Sequence, residues 1–149
     1  MITAHHAGYV VDASVIVKWF LYHQEADRDR ALVLRDLHIS GRSIIYVPQL
    51  ALLEVLNAIR FSPKATEEDG GMALEALQDL NLKSKAADRD LLRKTNAIAW
   101  AYKITMYDAV YVALAEQLGF PFITADDVMV KKFKGHSIVV PLRELEIKK

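Results

Sequence analysis

Five carboxylates stand where their chemistry calls for an explanation: Asp12, Glu54, Asp108, Asp126 and Asp127. Asp12 divides two apolar runs in "GYVVDASVIVKWF", Asp108 opens "AVYVALAEQLG", and Asp126 and Asp127 follow "FPFIT". Each aspartate falls at the start of an expected helix, where a side chain that accepts a backbone N–H is reason enough for its presence. Taken singly, capping explains each of them as well as catalysis does. Glu54 resists that reading, because "QLALLEVLNAIRF" places it in mid-helix. Its neighbours three and four residues away are Leu50, Ala51, Asn57 and Ala58, none of them a cation. A carboxylate so surrounded must find a remote cation, take up a proton, reach water or bind a metal. An exposed helix edge is the plain alternative.

These residues need elements to position them, and short β-like runs alternate with longer helical ones in the pattern of a parallel sheet flanked by helices. The strands are expected at Tyr9 to Val11, Ser43 to Val47, Asn81 to Ser84, Phe120 to Thr124 and Ser137 to Pro141. Helices are expected over Ala13 to Leu21, Glu25 to Ile39, Gln49 to Arg60, Thr66 to Leu80, Ala86 to Tyr102, Tyr107 to Leu118 and Val128 to Phe133. Pro48 suits a first helical turn, Thr66 with Asp69 resembles a capping box, and Gly70-Gly71 should loosen that helix start. Gly41 and Gly119 read as C-terminal stops.

The whole-chain numbers narrow the classes. At 149 residues, with 52% hydrophobic and 26% charged, the chain reads as one globular domain over residues 1–149. No apolar run approaches the ~20 residues of a membrane span, and the first residues lack the layout of a secretion signal. A cytoplasmic location is the expectation. The absence of cysteine removes disulfides, zinc–thiolate sites and thiol catalysis. Nineteen basic residues balance nineteen acidic ones, so any nucleic-acid binding must rely on local patches.

In an open parallel sheet, ligands bind beyond the carboxyl ends of the strands, where Asp12, Asp126 and Asp127 are expected. Asp108 and Glu54 can face the same rim. Such a cluster repels itself in a low-dielectric cleft unless divalent cations neutralise it. An all-oxygen donor set favours Mg²⁺ or Mn²⁺ over Zn²⁺, and the natural chemistry is phosphodiester hydrolysis.

Three stretches carry a resemblance that covers nearly the whole chain: "VVDASVIVKWF", "PQLALLEVLNAI" and "YDAVYVALAEQLGFPFITAD". The sequence resembles PIN domains, and within them the toxin nucleases of VapBC-type toxin–antitoxin pairs. The resemblance implies a three-layer α/β/α sandwich around a mainly parallel sheet, and Mg²⁺- or Mn²⁺-dependent cleavage of RNA. It also implies a homodimer inhibited by a VapB-like antitoxin. The family's acidic quartet would fall on Asp12, Glu54, Asp108 and Asp126, with Ser14 at a small-hydroxyl position and Asn57 one turn after the glutamate. Asp12, Asp108 and Asp126 would ligate the metal, while Glu54 would ligate it or orient the attacking water as general base. Ser14, Asn57 and Asp127 are supporting candidates; Asp127 fits the T-x-D register less well.

Substrate contacts are less legible. Lys131, Lys132 and Lys134 could hold phosphates but read first as a solvated face. Lys18 suits snorkelling and Trp19 the core, while Met106, Tyr107 and Tyr111 suit core or dimer packing ahead of base stacking. His5 and His6 form no metal motif. The alternative function is a non-catalytic or regulatory α/β module with an acidic divalent-cation site. Receiver-like modules, however, favour paired acids after the first strand, where Ala13 follows Asp12. An acid-nucleophile phosphatase would want a second aspartate where Ser14 stands.

Overall fold

The computed structural model describes residues 2–3, 6–22 and 26–146. The apolar run "GYVV" forms strand β2 (Gly8–Val11), buried at every residue, because parallel strands covered on both faces alternate with nothing polar. A side chain at Gly8 would bring its Cβ to 2.8 Å from the Phe120 ring and 2.9 Å from the Tyr46 ring, so only glycine fits. On either side of β2 lie β3 (Ile44–Pro48) and β5 (Phe122–Thr124), and beyond them β4 (Lys83–Lys85) and β6 (Val139–Pro141). The order β4-β3-β2-β5-β6 is parallel throughout. Edge strand β4 is short, exposed and lysine-bearing, a composition that discourages further strand pairing.

From β2 the chain first proceeds outward through β3 to β4, then crosses to β5 on the other side of β2. The crevice between β2 and β5 is therefore a topological switch point, where open α/β sheets hold ligands. Around the sheet run helices α1 (Ala13–Ile16), α2 (Arg28–Ile39), α3 (Leu50–Arg60), α4 (Glu67–Leu80), α5 (Arg89–Tyr102), α6 (Met106–Leu118) and α7 (Asp127–Lys132). Helix α6, "MYDAVYVALAEQL", is buried from Ala109 to Ala115, which its small and apolar residues permit. Gly119 ends it at φ +73°, the left-handed conformation that glycine adopts without strain.

The α/β/α architecture agrees with expectation, and the local differences have physical reasons. The segment after β2 is one α turn followed by a tighter 3₁₀ turn at Val17–Trp19, where Trp19 Nε1 donates to the Ala31 carbonyl at 2.8 Å. Pro48 closes β3 opposite Lys85, and α3 starts only at Leu50. Gly70-Gly71 leave α4 unbroken, because the Thr66–Asp69 capping box holds its first turn. Helix α5 begins at Arg89, where Asp88 accepts from the Leu91 N–H. A two-residue parallel pairing of β1 (Ile2–Thr3) with β7 (Leu145–Glu146) has no periodicity from which a sequence could announce it. Glu25, expected to open α2, and His5 lie outside the described residues.

Candidate active site

The carboxyl ends of β2 and β5 are cross-braced by side chains. Asp12, the residue after β2, donates its backbone N–H to the Ile123 carbonyl at 2.9 Å. Although Asp12 occupies the N-cap position of α1, its carboxylate makes no capping bond. Oδ2 instead accepts from Ser14 Oγ at 2.8 Å and from Thr124 Oγ1 at 2.7 Å. Each hydroxyl is itself held by a backbone donor, Ser14 Oγ by the Ala125 N–H at 3.0 Å and Thr124 Oγ1 by the Asp126 N–H at 3.1 Å. The helix-cap explanation of Asp12 therefore fails, and a lattice tying two strand ends together replaces it.

For Asp126 the cap explanation holds: Oδ1 accepts from the Val128 N–H at 2.9 Å and starts α7. Asp108 is not the cap of α6. Thr105 is, its Oγ1 accepting from the Asp108 N–H at 3.1 Å, which places Asp108 one turn into the helix. Glu54 Oε1 accepts from the Tyr111 hydroxyl at 2.7 Å, and the Tyr111 ring stacks on Phe122 at 5.5 Å.

Asp12, Glu54, Asp108 and Asp126 line a single cleft of about 300 Å³ with Ser14, Lys18 and small apolar side chains. Burial, partly offset by the two hydroxyl donors and reinforced by the charges of Asp108 and Asp126, raises the Asp12 carboxyl to about 6. Burial likewise raises Glu54 to about 7, against the Tyr111 hydrogen bond and with the charges of Asp12 and Asp108. Asp108 is raised by burial and by Asp126, with Thr105 opposing. Tyr111 is pushed far upward by burial and by Asp12 and Glu54, so it stays a neutral hydroxyl donor. Four segments thus deliver acids that feel one another's charge.

Among the described residues no ion pair involves any of these four acids. Lys18, buried at 8% exposure, lines the cleft but pairs with none of them within 4 Å. Nor, among the described residues, do three acidic or imidazole groups already stand close enough to enclose an ion. The donor chemistry fits a hard divalent cation nonetheless: every ligand is an oxygen, the charges are uncompensated, and each raised carboxyl gains by neutralisation.

The other supporting candidates lie apart. Asn57 is exposed on α3 and outside the cleft lining. Asp127 carries an 80% exposed side chain that accepts from Arg143 Nη1 at 2.9 Å. Thr124, Thr105 and Tyr111 also shape the site, although the sequence pointed to no site role for the two threonines and to packing alone for Tyr111. A signal existed for two of them: Tyr111 is one helical turn beyond Asp108, and Thr124 is the threonine of T-x-D.

The acidic crevice thus lies at the switch point of an open parallel α/β sheet, the place where such folds hold their ligands. Residues 9–134 match the PIN domain family, and the chain belongs to it. It is similar to ribonuclease VapC3 of Pyrobaculum aerophilum, 29% identical over 129 residues that cover 83% of this chain and 93% of that protein. It is 36% identical to ribonuclease VapC1 of Mycobacterium tuberculosis over 99 residues, 64% of this chain and 71% of that one. Among solved structures, a toxin–antitoxin complex from Klebsiella pneumoniae aligns with a TM-score of 0.67 at 16% identity, covering 90% of this chain and 97% of that chain. At that identity the likeness speaks for the fold alone.

Proposed function

We propose that the chain is a single-domain, Mg²⁺- or Mn²⁺-dependent endoribonuclease, the toxin of a VapBC-type pair, working in the cytoplasm as a homodimer under a VapB-like antitoxin. The observation that carries this reading is the convergence of Asp12, Glu54, Asp108 and Asp126 from four segments onto one uncompensated cleft. The ribonuclease names of the relatives support RNA as substrate.

Asp12, Asp108 and Asp126 hold the cation in this reading. When bound, a divalent cation supplies Lewis acidity that activates water and stabilises charge on the departing oxygen. The remaining chemistry belongs to the chain's own residues. Tyr111 occupies Glu54 Oε1, which leaves Oε2 to take a proton from the attacking water. A carboxyl near 7 suits that exchange at neutral pH. Ser14 and Thr124 keep Asp12 from rotating, so one edge of its carboxylate stays aimed into the cleft.

Cleavage of labelled RNA by the purified chain, with Mg²⁺ or with EDTA, tests the proposal. Asp12→Asn and Asp108→Asn each abolish divalent-dependent cleavage while the protein remains folded. Retained activity in purified Asp108→Asn overturns the assignment. A second readout is independent of turnover: Mg²⁺ raises the melting temperature of the wild type, because it binds the folded state, and raises it less in Asp12→Asn.

A further inference from the structure

At the junction of α5 and α6, side chains and surroundings are mismatched. Trp100 is 79% exposed and Tyr107 68% exposed, beside Met106 at 40%. Of the core or dimer packing expected for Met106, Tyr107 and Tyr111, Tyr111 takes the core, whereas Met106 and Tyr107 lie at the surface of the chain. Trp100 borders a shallow apolar hollow of about 470 Å³, completed by Ala99, Lys103, Ile104, Thr105 and Met106.

Two features tie this hollow to its neighbours. Lys103 ends α5 in the left-handed conformation at φ 53°, and its carbonyl accepts from Lys132 Nζ at 3.3 Å. A second ammonium is therefore tethered at the lip. On the other side, Thr105 lines the hollow and accepts from the backbone N–H of Asp108, which lines the acidic cleft, so a residue of each stands in the first turn of α6. Among the described residues neither Lys103 nor Lys132 has an acidic partner.

We propose that this hollow is a stacking shelf for a base of single-stranded RNA, with Lys103 and Lys132 holding the phosphates on either side of it. The proposal rests on the ribonuclease reading and extends it to substrate conformation. Base faces are hidden in a duplex and open in a single strand, where an aromatic platform flanked by cations serves any sequence. Charge supports RNA as the occupant. The acids of the cleft repel a phosphate chain, the protein has no net positive charge, and the lysines at the hollow add to Lys18 of the cleft as local attraction. A second copy of this chain seated on Trp100 is the competing occupant, and the same experiment detects it.

The chain has two tryptophans, and Trp19 is buried and bonded to Ala31, so a change in emission on adding RNA reports Trp100. Full-length protein is titrated in EDTA with a mixed-sequence single-stranded RNA 12-mer and with its duplex, sedimentation being measured on the same samples. The single strand quenches the tryptophan emission and the duplex does so far less. Trp100→Ala weakens binding about tenfold, whereas Trp100→Phe stays close to wild type. Replacing Lys103 and Lys132 by Gln lowers the slope of log affinity against log salt by about 1.4. Unchanged affinity and salt slope in these variants overturn the shelf, and so does a Trp100→Ala change that splits a dimer while leaving RNA affinity intact. Cleavage assayed in Mg²⁺ separates the two readings. Shelf-dependent binding without any cleavage supports the shelf and defeats the nuclease; cleavage with shelf variants that bind as wild type defeats the shelf alone.

Discussion

The two sides of the acidic cleft are built on different principles. On the strand side, Asp12 and Asp126 belong to a lattice in which Ser14 and Thr124 each accept a backbone N–H from the β5 exit and donate to Asp12. On the helix side, Glu54 accepts from the Tyr111 hydroxyl, and Asp108 is placed by the Thr105 cap. One side is fixed by a closed ring of hydrogen bonds across two strands. The other depends on one bond between α6 and α3 and on the N-terminal cap of α6. The lesson is a division of labour: the strand side defines where a cation would sit, and the helix side holds the group with the higher titration range.

Thr124→Val breaks the stiffer side without touching a cleft carboxylate, and among such changes it has the largest expected effect. Thr124 is fully buried, and its hydroxyl serves both Asp12 and the Asp126 N–H. The valine keeps the shape, leaves the Asp126 N–H without this acceptor and removes one of the two hydroxyl donors to Asp12, at a cost of about 1–3 kcal/mol, or a melting temperature lower by several degrees. RNA cleavage falls about a hundredfold. Thermal denaturation with a parallel rate assay checks both numbers, and a variant that is destabilised but fully active would show that the ring serves folding only.

Tyr111→Phe breaks the helix side with less collateral change, because the ring still stacks on Phe122. Cleavage falls about tenfold as Glu54 loses its orienting donor. The Tyr111 bond lowers the Glu54 carboxyl, so removing it moves that carboxyl further up. The acidic limb of the pH–rate profile shifts to higher pH. A purely structural tyrosine would leave the limb where it is.

The elements that carry the two sides are legible in the residues, but the contrast between the sides is not. The alternation of apolar runs announced the sheet and its flanking helices, and Glu54 betrayed itself by having no cation within a helical turn. The hydroxyl ring was not legible, because it joins Ser14 and Thr124 across 110 residues through a register that only strand pairing creates. Asp12 shows the limit most clearly. Its position satisfies every local rule for a helix cap, and the structure spends its carboxylate on the neighbouring strand instead.

A smaller effect follows from charge. Glu54 has a folded titration range raised to about 7, so the folded state holds its proton more tightly than the unfolded chain does. That contribution is complete below the unfolded value of 4.5 and is lost as pH rises through about 7. Glu54→Gln removes the charge and still accepts from Tyr111. In EDTA it raises the melting temperature by a few degrees at pH 8, and the gain vanishes toward pH 4. A gain that does not depend on pH would mean that packing, not repulsion, is responsible.

The smallest effect separates two neighbours that the sequence could not rank. Asp126 and Asp127 are adjacent, both acidic and both at the start of α7. Asp126 faces the cleft and caps the helix, while Asp127 turns outward to an Arg143 that is itself half exposed. Solvent screens such a pair, which is worth at most a few tenths of a kcal/mol. Asp127→Ala therefore leaves cleavage within about twofold and the melting temperature within about 1 °C. Asp126→Ala, measured alongside, loses both the cap and a cleft carboxylate. If the two variants lost activity equally, the outward pair would be holding α7 against the strand ends, and the boundary of the stiff side would extend to Arg143.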